Sequence, residues 1–256
     1  MGNPLVSVVI PAYNCAKSIQ KSIDSALNQD VSVEILVIND CSPDNLDQVM
    51  EQYQDNPSVV YLKNKKNSGA AQSRNFGVSI AKGKYVAFLD SDDYWEIGKL
   101  KKQLEAMKSN RVVLCSTARE LMTPEGICTG RIIPVKEKIT YHDLLKHNCI
   151  NCSSVLLLTE VAREFPMKHE DSHEDYIMWL EILKKHKRAC AVNEPLLKYR
   201  LSNTGKSGSK LHSAKMTYKV YRYVGFGVVK STICFCSYAV HGVWKYATSK
   251  LWAMEK

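Results

Sequence analysis

The sequence predicts an α/β fold built on a mostly parallel sheet with flanking helices. Short apolar runs alternate with stretches of helical periodicity along the first part of the chain, as in repeated strand-helix-strand units. The runs are apolar at nearly every position, which is typical of strands buried on both faces of a sheet. Polar and acidic side chains follow several of these runs, at the sheet edge where α/β proteins bind ligands.

This alternation predicts the strands and helices of the first half of the chain. Strands are predicted at 5–10, 33–38, 59–62 and 85–89. Helices are predicted after each of the first three strands, the second with Pro43 near its first position and the third at about 70–81, and a further helix at about 99–108.

The pattern is less regular after Arg111. Strands are predicted at 112–115, 154–158 and 196–201, and helices at 140–146 and 176–185. No linker rich in Gly, Pro or Ser interrupts the chain. We therefore expect one domain at 1–208, made of a half at 1–110 and a half at 111–208, and a basic tail at 209–256.

The amino-acid composition limits the classes of protein to which the chain could belong. The chain has 256 residues, of which 45% are apolar and 24% charged, as in ordinary globular proteins. Nine cysteines without a regular framework and an N-terminus unlike a signal peptide predict a reduced, cytoplasmic protein. The pair Cys149 and Cys152 has no second pair at zinc-site spacing, so structural thiols are expected.

The positive charge lies in the C-terminal part. Residues 1–183 hold 20 Lys and Arg against 24 Asp and Glu, a net −4, and residues 184–256 hold 15 against 2, a net +13. Such a segment predicts an anionic partner, either nucleic acid or an anionic membrane surface. Aromatic and aliphatic residues among the lysines favour a helix lying in the lipid headgroup layer, and the least polar stretch, 231–244, is shorter than the ~20 residues of a span. The alternative is an amphipathic helix packed on the protein's own core.

An acidic turn follows the fourth predicted strand, with Asp90, Ser91, Asp92 and Asp93 in succession. Asp and Ser commonly form solvated turns that cap the next helix. Carboxylates clustered at a strand end are also suitable ligands for Mg²⁺ or Mn²⁺. The turn by itself leaves both interpretations open.

Other strand ends favour a ligand site. The first strand is followed by Pro11 and Tyr13 and the second by Asp40, and we expect these ends to meet the acidic turn at one edge of the sheet. Asp40 could accept a hydrogen bond from a base, Tyr13 could line the base pocket, and Asp92 could hold a divalent ion on a diphosphate.

Gly69 marks the turn into the third predicted helix, and Arg74 on its first turns could reach a phosphate oxygen. The sequence contains neither G-x-G-x-x-G nor G-x-x-x-x-G-K-[ST]. A dinucleotide-dependent dehydrogenase and a P-loop kinase therefore have no support.

Three segments in order, VSVVIPAYN, NDCSPD and NSGAAQSRNFGVSIAKGKYVAFLDSDD, resemble the N-terminal half of family 2 glycosyltransferases, which have the GT-A fold. The resemblance covers about residues 5–110. It implies a nucleotide-sugar donor with Asp40 near the uracil or other base, Asp90 near the ribose and Asp92 as the ligand of Mn²⁺ or Mg²⁺. Cys41 stands where many relatives have Gly.

In the second half, residues 173–176 together with Trp179 resemble the acidic segment that follows the acceptor pocket in this family. The resemblance implies that Asp175 is the general base that deprotonates an acceptor hydroxyl, with Asp93, Glu174 and Trp179 near the acceptor or the leaving group. The alternative is that Asp175 only caps or solvates the start of a helix.

His169 to His173 also fits the zinc motif H-E-x-x-H, which would make the protein a metalloprotease. That motif requires a helix, whereas Pro166 lies close before it and Asp171 and Ser172 are poor residues for a helix interior. We expect a loop whose histidines could touch substrate.

A polar loop with Arg200 and Lys206 resembles the flexible segment that closes over the donor diphosphate in relatives, where either cation could help neutralise the leaving group. A solvated basic loop is the alternative. The Q-x-x-R-W pattern of processive synthases is absent, so one sugar per acceptor is expected.

The resulting hypothesis is an inverting, metal-dependent hexosyltransferase, peripheral on the inner face of the cell membrane. It would move one glucose or galactose, with or without an N-acetyl group, from a UDP-sugar to a lipid-linked acceptor. The expected acceptor is an undecaprenyl-diphosphate-linked saccharide of O-antigen or capsule assembly. The alternative is a nucleic-acid- or anion-binding protein that uses the basic tail, which leaves the acidic turn unexplained; no nucleic-acid partner is expected.

Overall fold

The computed structural model describes residues 3–201 and 210–252, with side chains for 3–201 and 211–241. The strands are β1 Val6–Ala12, β2 Val33–Asn39, β3 Val59–Lys63, β4 Tyr85–Phe88, β5 Tyr94–Trp95, β6 Leu114–Met122, β7 Cys128–Ile133, β8 Lys138–Thr140, β9 Leu156–Leu158 and β10 Arg188–Arg200. The α-helices are α1 Ile19–Leu27, α2 Leu46–Met50, α3 Ala70–Ile80, α4 Lys99–Asn110, α5 Tyr141–Lys146, α6 Thr159–Glu164, α7 Glu174–His186, α8 Lys210–Tyr223 and α9 Val228–Trp252.

One sheet of mixed direction joins the strands. Its order is β3-β2-β1-β4-β9-β6-β10-β5, with β7 paired to β6 and β8 paired to β10. β3, β2, β1 and β4 are parallel, which confirms the parallel sheet predicted for the first half. β9 runs antiparallel to both neighbours, so the second half departs from the parallel arrangement.

Alternation along the central strands creates a core on each face of the sheet. Val8 and Ile35 contribute to one core, while Val9 and Leu36 contribute to the other. Each core is closed by helices, and α1 buries Ile19, Ile23 and Ala26 on a single face. The nearly continuous apolar composition of β1 and β2 follows from this burial on both sides.

The helix predicted after Pro43 and the strand predicted at 112–115 are among the elements whose bounds change in the structure. α2 begins at Leu46, because Pro43 lies in a turn in which the Asp44 carboxylate accepts hydrogen bonds from Ala16 N (2.7 Å) and Ser42 Oγ (2.5 Å). The strand predicted at 112–115 extends to Met122, since pairing with β10, β9 and β7 supports polar positions that the apolar pattern does not mark.

The basic C-terminal segment forms two helices with different surroundings. α8 buries Met216, Val220 and Tyr221 against the domain, and Tyr221 Oη donates to Leu145 O at 2.9 Å. α9 leaves Ile233 and Val240 exposed. None of the helices described within 3–201 and 210–252 has both the length and the apolar character of a bilayer span.

Candidate active site

Asp40 lies at the end of β2 and organises the loop that enters α3. Its carboxylate accepts hydrogen bonds from Asn64 Nδ2 (2.7 Å), Ser68 N (2.9 Å) and Gly69 N (2.7 Å). A carboxylate has about four acceptor positions, so one remains on Oδ2. The side chain is nearly fully buried. Asp40 therefore fixes this loop, and its contact with a base stays a prediction.

Gly69 has a backbone conformation that favours glycine, because its φ is +87°, in the region that side chains disfavour. A Cβ atom there would lie 2.3 Å from Glu170 Oε1, so the Glu170 side chain would have to shift. The same Glu170 oxygen accepts from Gln72 N at 3.4 Å. The start of α3 is thus covered by a carboxylate that comes from the segment before α7.

The acidic turn is held rigidly from several sides. Asp90 N donates to Ser153 Oγ (3.1 Å), and Asp93 N donates to Asp90 O (3.1 Å). Ser22 Oγ donates to Asp93 O at 2.6 Å, and Arg200 N donates to Asp93 Oδ1 at 2.8 Å. Asp93 is buried, so its carboxylate anchors the end of β10 and does not face an acceptor or a leaving group.

Arg74 connects the acidic turn to the start of α7. Its guanidinium Nη2 lies 2.5 Å from Asp90 Oδ1, and Nη1 lies 3.5 Å from Glu174 Oε1. Arg74 and Glu174 are both buried. Arg74 therefore contacts two carboxylates and does not point to an open phosphate site. Glu174 faces Arg74, and its contact with an acceptor or leaving group stays a prediction. The pair connects the acidic turn to the first turn of α7, where Asp175 follows Glu174.

The pKa values of Asp92 and Asp175, two carboxylates at this edge of the sheet, are raised. Burial and the neighbouring charge of Asp90 raise the pKa of Asp92 to about 6. Burial, followed by the charge of Glu174, raises the pKa of Asp175 above its usual range, while His173 and Arg74 partly oppose the rise. Asp175 Oδ1 also accepts from Tyr176 N at 2.7 Å. Both residues are half-buried.

The remaining predicted residues divide into two groups. Tyr13 is 50% exposed beside the end of β1, and Pro11 and Ser91 are partly exposed there, so all three are accessible at this edge. Trp179 has no exposed surface and lies 6.4 Å from Phe88, ring centroid to ring centroid, in the core. An acceptor cannot reach Trp179, and its predicted contact is wrong for that reason.

Arg200 adjoins the acidic turn from the end of β10. Its Nε donates to Asp92 O (3.0 Å) and its Nη1 to Pro124 O (3.2 Å), so the guanidinium ties this turn to the β6–β7 turn. Lys206 lies outside the described residues.

The side chains at this edge could hold a divalent ion only together with oxygen atoms of the substrate. Within the described part of the chain, no three His, Cys, Asp or Glu side chains form a group that could hold a metal ion. Asp92 nevertheless offers a carboxylate whose charge is destabilised by Asp90, and a cation would relieve that repulsion. Mg²⁺ is commonly held by one or two carboxylates together with phosphate oxygens and water, which is the arrangement available here.

The contacts of the segment from Met167 to His173 are the part of the site that sequence reasoning missed. The segment forms a loop, as predicted against the zinc motif, with His169 at a φ of +62°. Its contacts join α3 to α8: Asn75 Nδ2 donates to Met167 O at 2.8 Å, and Lys219 Nζ lies 2.6 Å from Asp171 Oδ2. These partners are distant in sequence, so no local pattern could identify them.

Comparison with known folds gives the class of protein. S. aureus TarS (residues 1-349) in complex with UDP-GlcNAc aligns with a TM-score of 0.70 over 90% of this chain and 70% of that chain, at 18% identity. The mannosyltransferase PcManGT from Pyrobaculum calidifontis, in complex with GDP-Man and Mn²⁺, aligns with a TM-score of 0.70 over 98% of this chain and 74% of that chain, at 15% identity. The fold is that of GT-A glycosyltransferases.

Sequence comparison gives the family. The description "Glycosyl transferase family 2" matches residues 7–155. TuaG of Bacillus subtilis (strain 168), named for teichuronic acid biosynthesis, is 38% identical over 94% of this chain and 97% of its own length. The Escherichia coli β-1,3-glucosyltransferase WfaP is 32% identical over 96% of each chain. The chain therefore belongs to glycosyl transferase family 2.

Proposed function

We propose that this glycosyltransferase inverts the anomeric configuration as it moves one hexose from a UDP-sugar to an undecaprenyl-diphosphate-linked saccharide. Asp175 is the general base, and Asp92 would hold a Mn²⁺ or Mg²⁺ ion at the donor diphosphate. The reaction takes place at the inner face of the cell membrane, in the assembly of a surface polysaccharide such as O-antigen or capsule.

The choice of substrates is supported by two relatives. WfaP and WfgD of Escherichia coli both carry the name UDP-Glc:α-D-GlcNAc-diphosphoundecaprenol β-1,3-glucosyltransferase, and each aligns with 96% of this chain. Alignment over nearly the whole length includes the second half of the domain, which is the half expected to bind the acceptor. Glucose is therefore the donor sugar to test first.

The observation that carries the mechanism is the buried contact of Arg74 with Asp90 and Glu174. It joins the turn proposed to hold the donor to the helix that bears the proposed base. Asp175 would accept the proton of the acceptor hydroxyl as that oxygen attacks the anomeric carbon opposite the diphosphate. Its raised pKa makes it a stronger base than an ordinary aspartate. An α-linked UDP-hexose would then give a β-linked product.

The residues of the acidic turn have a different role. When bound, a divalent ion would supply positive charge to the departing diphosphate. Asp92 would position that ion, Asp90 would lie near the ribose, and Asp40 with Tyr13 would contact the base. Asp93 and Arg200 would keep the turn in place through their mutual hydrogen bond.

Membrane attachment is proposed for α9. Val229, Ile233, Cys236 and Val240 are exposed at helical spacing, which aligns them along one side of the helix. Three lysines and no acidic residue lie in the same helix. Burial of this apolar stripe in the headgroup region of an anionic bilayer would satisfy both features.

The reaction is tested with purified protein, a panel of UDP-, GDP- and TDP-sugars and a lipid-diphosphate-GlcNAc acceptor, with Mn²⁺ or Mg²⁺ and then with EDTA. We expect turnover of one UDP-hexose, an inverted product and loss of transfer in EDTA. Transfer that survives EDTA would refute the metal role. Absence of transfer from every donor, with the relative WfaP active in the same assay, would refute the proposed reaction.

A further inference from the structure

The 167–173 loop, defined by those residue numbers, connects the start of α3 to α8. On the α3 side, Asn75 Nδ2 donates to Met167 O (2.8 Å), and Met167 N donates to Asn75 Oδ1 (2.9 Å). The Glu170 carboxylate covers Gly69 and accepts from Gln72 N. This side of the loop adjoins the turn that Asp40 organises.

On the α8 side, two residues hold the same loop. The Asp171 carboxylate accepts hydrogen bonds from Lys219 Nζ (2.6 Å) and Tyr223 Oη (2.8 Å). The ring of His169 stacks on that of Tyr223, with centroids 3.8 Å apart and planes 7° from parallel. The cation of Lys219 and the hydroxyl of Tyr223 therefore contact Asp171, and the ring of Tyr223 contacts His169.

The loop has a defined shape that requires support. His169 adopts φ +62°, a conformation that a residue with a side chain adopts only at an energetic cost. Ser172, which has no exposed surface, donates to His169 O from both N and Oγ, each at 2.9 Å. These internal bonds close the turn, while the contacts with α3 and α8 set where the turn lies.

The position of this turn determines how the chain enters α7. His173 ends the loop, its Nε2 lies 3.4 Å from both Ser213 O and Ser213 Oγ of α8, and Asp175 follows in the first turn of α7. A displacement of the loop would move the carboxylate of Asp175. A shift of about 1 Å in a catalytic group is enough to reduce a rate substantially.

We propose that Lys219 and Tyr223 of α8 are positioning residues for the transfer reaction. They hold the 167–173 loop against the start of α3 and thereby set the place of Asp175 relative to the donor. This inference rests on the proposed function, in which Asp175 is the base. It gives α8 a role in catalysis in addition to any attachment to a membrane.

The contacts are suited to positioning more than to global stability. The Lys219 and Asp171 side chains are 46% and 51% exposed, and exposed ion pairs contribute little to the stability of a fold. α8 is anchored separately by the buried residues Met216, Val220 and Tyr221. Loss of the two contacts should therefore leave the domain folded.

The experiment compares two double variants on the same helix. Tyr223→Leu with Lys219→Ala removes an aromatic ring and a cation from the loop. Tyr218→Leu with Lys215→Ala removes the same chemical groups from a part of α8 that faces Phe235. Tyr223→Phe, with Lys219 kept, retains the stack and removes only the phenol hydrogen bond. Transfer is measured with a short-chain, detergent-soluble acceptor so that membrane binding does not limit the rate.

We expect the Tyr223/Lys219 variant to lose about tenfold in kcat, with UDP affinity in calorimetry changed less than about twofold, because Asp40 is held by other contacts. The Tyr218/Lys215 variant and Tyr223→Phe should stay within about threefold of the wild type. A kcat within about twofold of wild type in the Tyr223/Lys219 variant would overturn the proposal. An equal loss in both double variants would also overturn it, because a general effect of α8 would then explain the loss.

Hydrogen exchange tests whether α8 holds the 167–173 loop without requiring any transfer activity. The peptide that spans 167–176 should exchange faster in the Tyr223/Lys219 variant and at the wild-type rate in the Tyr218/Lys215 variant. If wild-type protein transferred no sugar, the proposed reaction would fail, and exchange alone would decide whether α8 holds the loop. Unchanged exchange in the Tyr223/Lys219 variant would refute the positioning role in either case.

Discussion

The acidic turn and the C-terminal helices place their charges in opposite environments. Around the turn, Asp40, Asp93 and Arg74 are almost completely buried, and each has fixed hydrogen-bond partners. On α9, Lys230 is exposed beside apolar residues that are also exposed. A buried charge requires a particular partner. An exposed charge interacts with its surroundings through electrostatic forces that salt screens, so its position tolerates substitution. Charge changes should therefore alter geometry in the first region and only association in the second.

The largest effect is expected at the proposed base. Asp175→Asn keeps the shape of the side chain and removes its ability to accept a proton, so kcat should fall about 10²–10⁴-fold. Donor affinity by calorimetry should change little. Glu181→Gln, on the same helix and partly exposed, is the control and should retain activity. A variant Asp175→Asn with wild-type kcat would exclude this residue as the base.

The next largest effect is expected on the free energy of unfolding when Arg74 is replaced. Arg74→Met leaves Asp90 and Glu174 without their shared cation, and loss of one partner from a buried ion pair costs about 3–5 kcal/mol. Urea unfolding would measure this free energy. Lys82→Met, at an exposed position just after α3, should change it by less than about 0.5 kcal/mol. Similar values for the two variants would show that the buried pair is not a major constraint.

A smaller effect of opposite sign is expected at Asp92. The pKa of this carboxyl rises from 3.8 to about 6 on folding, so the folded state binds more protons in that window, and stability present below pH 3.8 is lost as the pH rises through about 6. Without divalent ions at pH 8, Asp92→Asn should therefore be more stable than wild type by about 1–3 kcal/mol.

Urea titrations in EDTA at pH 4 and pH 8 would measure the difference, which should be small at pH 4. Asp55→Asn, at an exposed position, should show no such pH dependence. A wild-type protein more stable than Asp92→Asn at pH 8 in EDTA would contradict the expected sign. Addition of Mn²⁺ and UDP should raise the stability of the wild type more than that of the variant, since only the wild type keeps the proposed ligand.

The smallest effect on stability is expected at the exposed face of α9. Ile233→Ser should change the free energy of unfolding by less than about 0.5 kcal/mol, yet weaken binding to anionic vesicles about threefold to tenfold, because less apolar surface enters the bilayer. Ile97→Ser is a matched control, since the two isoleucines are 64% and 68% exposed. Equal vesicle binding by the Ile233 and Ile97 variants would remove α9 from the proposed membrane contact.

Deletion of the whole tail is a poorer test of membrane contact. A chain that ends at 208 lacks Met216, Val220 and Tyr221, which are buried in the domain. Its loss of membrane binding would be confounded by loss of folding. A chain that ends at Gly227 keeps α8 and lacks α9 and the four residues after it.

The two halves of the fold differ in how far the sequence predicts them. β1 to β4 are predicted to within about one or two residues, because each is a continuous apolar run between turns, whereas the two-residue strand β5 is not predicted. β10 is predicted only at its end, since Asn193, Glu194 and Pro195 interrupt its pattern at the point where the pairing with β6 shifts register. β7 and β8 carry too little apolar periodicity to be recognised.

The candidate site shows the same division. The sequence places Asp40 and the acidic turn at strand ends, and parallel pairing brings those ends to one edge of the sheet. It does not reveal that Trp179 is buried or that Arg74 faces two carboxylates. Helical spacing gives the face on which a residue lies, while its partner depends on which other element packs there.

The sequence alone determined the repeating strands and helices, the acidic turn and the concentration of positive charge near the C-terminus, because each is a local property of composition or periodicity. Only the tertiary structure decided that β9 runs antiparallel between β4 and β6, that Arg74 joins Asp90 to Glu174, and that α8 holds the 167–173 loop. These contacts join residues far apart in the chain. The pairing of β9 and the contacts of Arg74 exist because unpaired strand edges and buried charges require partners that only folding brings together.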